Sequence, residues 1–153
     1  MEPNMAGMFD PDTFLDMSVE GANETEKVLV PPAVYTACIS DLSSVSGERD
    51  DGTPWVQLVI KWAIEDDAAK VALNRDKIVL SQYLFIDLDE DGAIATGTNK
   101  NVQLGKLRKA VGKNEGRFSP RDLMGCFAKI DVRHVPAKDG GLREEVKGVA
   151  AVG

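Results

Sequence analysis

The run Trp55-Val56-Gln57-Leu58-Val59-Ile60-Lys61-Trp62-Ala63-Ile64-Glu65 alternates without a break. Val56, Leu58, Ile60, Trp62 and Ile64 fall on one side, and Trp55, Gln57, Val59, Lys61 and Ala63 on the other. Successive side chains of a strand point to opposite faces, so this period-two stripe predicts a strand with one face on a core. Working outward from it organises the chain. Upstream, residues 33–42 alternate with Tyr35, Ala37 and Ile39 on one side, a second strand signal. Residues 43–54 are rich in Ser, Gly and charge and contain Asp51-Gly52, which reads as a loop.

Downstream, residues 66–76 read as a loop or short helix. Residues 77–88 read as a strand whose blurred alternation predicts burial on both faces or a bulge. Asp89 to Gly92 is a turn. Residues 99–112 carry an apolar stripe at helical spacing, Val102 or Leu104 with Leu107, Ala110 and Val111. Asn99 or Asn101 suits its cap and Gly112 its stop. Ser119-Pro120-Arg121-Asp122 predicts a single helical turn. A strand over 125–135 places Cys126, Ala128, Ile130 and Val132 opposite Phe127, Lys129, Asp131 and Arg133. Lys138 to Gly141 is a hairpin turn, and 142–152 a last strand. The order β-β-β-α-β-β predicts a mainly β chain with the five-stranded OB-fold barrel over residues 31–153, the helix lying between strands 3 and 4. No βαβ alternation points to a doubly wound sheet.

The 153 residues fit one domain, preceded by an acidic arm over residues 1–30 that is expected to be partly disordered or weakly docked. No apolar run approaches the roughly 18 residues of a membrane helix, so no membrane contact is expected. The first residues lack a basic region before an apolar one, and a cytoplasmic protein is expected. Cys38 and Cys126 belong to no metal-binding pattern and are expected to be reduced, buried thiols. The net charge of −7 argues by itself against nucleic acid. Its distribution reverses that argument. Residues 1–74 carry 4 basic and 14 acidic side chains, whereas residues 98–147 carry 12 basic and 6 acidic. An acidic front precedes a basic back, and binding follows the local field.

The chain also resembles a family of small phage-encoded single-stranded-DNA-binding proteins. The resemblance rests on Met8-Phe9-Asp10-Pro11-Asp12-Thr13-Phe14, on Tyr35-Thr36-Ala37-Cys38-Ile39 and on Val59-Ile60-Lys61-Trp62. It continues in Asn101-Val102-Gln103-Leu104-Gly105-Lys106-Leu107-Arg108 and in Glu145-Val146-Lys147-Gly148-Val149. It implies an OB-fold that binds single-stranded DNA during phage replication or recombination, in the host cytoplasm. Replication or recombination proteins would then be partners, and homo-oligomerisation stays open. The resemblance implies no particular contact residues.

Those follow from physics, since a single-strand binder needs rings for bases to stack on and cations along the backbone path. The candidates are Trp55 and Lys61 on the second strand, Tyr83 and Phe85 on the third, and Lys129 and Arg133 on the fourth. Arg49, Arg75 and Lys77 sit in or beside the loops flanking the second and third strands. For every ring the alternative is core packing. Trp62 lies on the apolar stripe and belongs to the core. Tyr83 and Phe85 sit on a strand of little polar character, which favours packing, while Trp55 starts its strand beside a polar loop. The cations Lys100, Lys106, Arg108, Lys109, Lys113, Arg117 and Arg121 would track phosphates or form a solvated helix face.

No catalytic set is found, and the protein is expected to be non-enzymatic with no cofactor. His134, the single histidine, is expected at the surface. Asp87 to Gly92 imitates the start of a calcium loop, but Thr98 stands where the closing Glu is needed. The competing reading is an OB-fold protein-interaction module, a phage factor that recruits or inhibits a host protein. In that reading the acidic arm would be the contact, whereas in a single-strand binder it would shield the basic face or recruit replication partners.

Overall fold

A computed structural model describes residues 10–152; Met8 and Phe9 of the arm lie outside the described residues. Five antiparallel strands form one sheet in the order β3-β2-β1-β4-β5. They are β1 (Ala33–Glu48), β2 (Pro54–Ile64), β3 (Val79–Ile86), β4 (Phe127–Pro136) and β5 (Leu142–Ala150). Helices α1 (Pro11–Leu15), α2 (Asp67–Leu73) and α3 (Val102–Ala110) and a 3-10 turn at Pro120–Leu123 complete the described residues. The chain is mainly β, with α3 between strands 3 and 4 as expected. The two sheet edges, β3 and β5, approach each other beside α3, and no hydrogen-bonded ladder joins them.

Strand β1 serves two partners. Residues 33–38 pair with β4, and residues 37–48 pair with β2. The β2 register slips at Ser40, so that Ile39 faces Trp62 and Asp41 faces Lys61. One extra residue on one strand bends it and raises its twist, which curls the sheet around the core. That core is built on the period-two stripe: Leu58, Ile60, Trp62 and Ile64 are buried against Ile39, Ile130, Leu104 and Leu107. Trp62 is fully buried, and its indole Nε1–H donates to Gln82 Oε1 at 2.9 Å. A buried indole with its one donor satisfied carries no desolvation penalty.

The structure corrects several expectations. Residues 43–48 are not a loop: they extend β1, with Ser43 opposite Val59 and Val45 opposite Gln57. Their serines show no apolar pattern because this half of the strand is largely exposed, and pairing with β2 overrides local preference. The turn closes over Arg49–Thr53, where Gly52 adopts φ +86. Residues 66–76 contain the short helix α2, capped by Asp66 Oδ1 accepting the Ala69 N–H at 2.8 Å and stopped by Asn74 in the left-handed region. Helix α3 is shorter than its stripe suggested. Asn101 stands at its cap position but ties loops instead: Oδ1 accepts the Asp87 N–H at 2.7 Å, and Nδ2 donates to the carbonyls of Asp87 and Ala95.

Strand β3 has neither a bulge nor two buried faces. It alternates regularly, with Leu80, Gln82, Leu84 and Ile86 inward and Val79, Ser81, Tyr83 and Phe85 outward. Its pattern looks blurred because aromatic residues occupy the outward positions. His134 is half-buried rather than a free surface group. A carbonyl can only accept, so His134 Nε2–H donates to Val30 O at 2.7 Å, while the Val30 N–H donates to Glu144 Oε2 at 2.8 Å. Val30 is fully buried, so the arm is pinned at its last residue, whereas residues 16–28 are exposed. Cys38 and Cys126 are free and only half-buried, and desolvation pushes the Cys38 thiol pKa up.

Candidate nucleic-acid interface

The outward face of β2 and β3 gathers the candidate rings. The register sets Gln57 opposite Phe85, Val59 opposite Tyr83 and Lys61 opposite Ser81. Tyr83 is 59% exposed and Phe85 64% exposed, so the core-packing alternative fails for both. Trp55 is half-buried, and its ring stands edge to face with Phe85, centroids 5.9 Å apart at 74°. Such a geometry is favourable for aromatic quadrupoles and leaves ring surface open to a stacking partner. Val45 of β1, exposed beside Gln57, extends the apolar surface towards the first strand.

Gly47 holds the Trp55 ring in place. It is the cross-strand partner of Trp55, and a Cβ built there would meet Trp55 Cζ2 at 2.8 Å and Cε2 at 3.0 Å. The indole therefore lies across the bare backbone of β1, covering a glycine that would otherwise weaken the strand. Gly47→Ala is expected to displace the ring while keeping the fold. The check is Trp fluorescence: the emission should shift to the red, and unchanged emission would remove the glycine's role.

The cations distribute unevenly. Lys61 is exposed on the same face, and Lys77 is exposed one strand step beyond Val79. Arg75 lies at that same end, beside α2, in a shallow hollow with Lys70 and Asn74. Lys129 and Arg133 also point outward but are not brought to the rings. Lys129 faces Thr36, whereas Trp55 faces Gly47. Eleven residues of β1 separate those two positions, about 35 Å along a strand. Arg133 is further occupied by Asp131, its Nε lying 2.9 Å from Oδ1.

The opposite end of the face is acidic, a feature the one-dimensional pattern did not reveal. The β1–β2 turn brings Glu48, Asp50 and Asp51, and the turn after β3 brings Asp87, Asp89 and Glu90, which border a hollow with Trp55 and Phe85. Hydrogen bonds from Thr53, through its side chain and its amide, hold the Asp51 carboxyl below the usual carboxylate range. Asp89 Oδ1 accepts the amides of Asp91 and Ala93, so this acidic turn is built into its own backbone. The face is thus acidic at Trp55, with Arg49 the one cation in that hollow, and mixed at the other end, where Lys61, Arg75 and Lys77 stand near Asp76. Gly47, Val45 and this acidic border were missed because each depends on β1 continuing to Glu48 or on which turns the fold brings together.

Compared with known proteins, the chain matches no family model and no curated protein.

Proposed function

We propose that the protein is a non-enzymatic, sequence-tolerant single-stranded-DNA-binding protein of the OB-fold barrel type, acting in phage DNA replication or recombination. The observation that carries this reading is the outward aromatic group Trp55, Tyr83 and Phe85 on adjacent strands, with Lys61 and Lys77 at one end. Rings on the second and third strands are where OB-folds stack bases. The strand order, with α3 bridging the approach of β3 and β5, supports the barrel type. Bases would stack on the rings, and the backbone would leave towards Lys61, Arg75 and Lys77, away from the acidic border. The motif resemblance supports the phage context.

A titration with single-stranded and duplex oligonucleotides across salt tests it. Single strands are expected to quench Trp fluorescence at low salt. With three cations at the exit, log affinity should fall with log salt at a slope of about −2, from roughly −0.7 per phosphate. Preference for duplex, or no binding at low salt, would overturn the reading. The second reading, a protein-interaction module, is favoured by one observation: the acidic border beside Trp55 repels phosphates and suits a basic protein. It requires a partner captured with the full chain and lost when Phe85 is replaced by Ala.

A further inference from the structure

We propose that the solvent side of α3 is a second binding site for a nucleic-acid phosphate backbone, distinct from the aromatic face. The inference goes beyond the proposed function and rests on it only for the identity of the polyanion.

The first support is unspent charge. Among the described residues, the ion pairs join Lys70 to Glu65, Arg133 to Asp131, and Arg143 and Lys147 to Glu145. None involves the cations between Lys100 and Arg121. The one acid within that stretch is Glu115, and Asp122, just beyond it, accepts the Ser119 N–H at 2.9 Å. Lys106 and Lys109 project from the exposed side of α3.

The second support is a shaped groove of about 450 Å³ between α3 and the segments before and after it, lined by Lys100, Gly105, Arg108 and Phe118, with Lys106 and Lys109 outside it on the same helix. Arg108 is held ready in it. Its Nε–H donates to Lys113 O at 3.0 Å, and its guanidinium lies 4.3 Å over the Phe118 ring. A planar guanidinium fixed through one nitrogen keeps its remaining donors for a phosphate at little further cost in entropy.

The third support is Gly105 itself. It lies inside α3 between Leu104 and Lys106, outside the left-handed region, and a Cβ there would meet nothing within 4 Å. Neither backbone conformation nor packing calls for glycine, and glycine weakens a helix. Close approach of a ligand backbone to the groove floor accounts for it. The groove is separate from the first site: Gln103, on another side of α3, lines the cleft that contains Tyr83 and Phe85, and the two share no lining residue. A strand long enough to pass round α3 would be needed to occupy both.

Gly105→Glu is the test in the full chain, because it fills the groove with a carboxylate and improves helix propensity. Its thermal midpoint should equal or exceed the native one. Binding of an oligothymidine of about thirty nucleotides, read by anisotropy at low salt, should weaken at least about tenfold. Quenching of Trp55 by an oligomer of about six nucleotides should stay unchanged. A Lys106→Gln, Lys109→Gln double variant should lower the long-strand salt slope by about 1.4. Unchanged long-strand affinity in Gly105→Glu overturns the second site. So does unchanged affinity with faster tryptic cleavage at Lys27, which would assign the groove to the acidic arm. If the native chain binds the long strand without quenching and Gly105→Glu abolishes that binding, the groove stands and the aromatic-face reading falls.

Discussion

A Trp55→Ala chain is expected to fold normally and to bind single-stranded DNA about 5- to 150-fold more weakly, the equivalent of the roughly 1–3 kcal/mol that one stacked base contributes. The fold should survive because Trp55 stands half-buried on the outward face against Gly47 and Phe85, while the buried side of the strand is built from Leu58, Ile60, Trp62 and Ile64. The affinity should fall because Trp55 offers the largest ring surface of the group. Trp55→Phe should retain most of the binding, since every base has a π-face that a smaller ring still stacks. Anisotropy measures the affinity, and circular dichroism with a thermal melt verifies the fold. A folded Trp55→Ala chain with native affinity would remove stacking from the mechanism.

The second tryptophan should behave in the opposite way. Trp62→Ala is expected to destabilise the fold by about 3–5 kcal/mol, because it opens a large cavity in a close-packed interior. It also orphans Gln82 Oε1, which now accepts the indole N–H at 2.9 Å. Total stabilities of about 5–15 kcal/mol leave little margin. At roughly 2–4 °C per kcal/mol for a chain of this size, the thermal midpoint should fall by about 6–20 °C. Any loss of DNA binding should track the unfolded fraction and recover on cooling. A melt within a degree or two of the native one would show that Trp62 is not the packing centre of the sheet. Two tryptophans seven positions apart on one strand thus serve opposite faces, a direct consequence of the period of two.

The sequence showed some of this plainly. The stripe from Val56 to Ile64 announced the second strand and its buried face, and Trp62 was legible as core from it. The order of elements led to the helix between strands 3 and 4. Legibility failed where apolar residues faced water: Tyr83 and Phe85 made β3 look doubly buried. A departure of that kind, with a large ring at a solvent position, is the mark of a surface kept for contact. It also failed for the serine-rich half of β1, whose strand character comes from hydrogen bonds to β2 and not from its own pattern. Lys129 and Arg133 looked equivalent to Lys61 by face, because alternation reports which side a residue is on but not how far along the sheet it lies.

What the sequence determined alone is therefore local and periodic: the order of the five strands and the helix, the apolar face of β2, and that the acid precedes the base along the chain. Those properties follow from side-chain alternation and composition within about ten residues. Only the tertiary structure decided which rings meet, that Gly47 makes room for Trp55, that acidic turns border one end of the face, and that Lys100 and Arg108 line a groove beside α3. Strand register and loop placement, which alternation does not encode, bring these residues together.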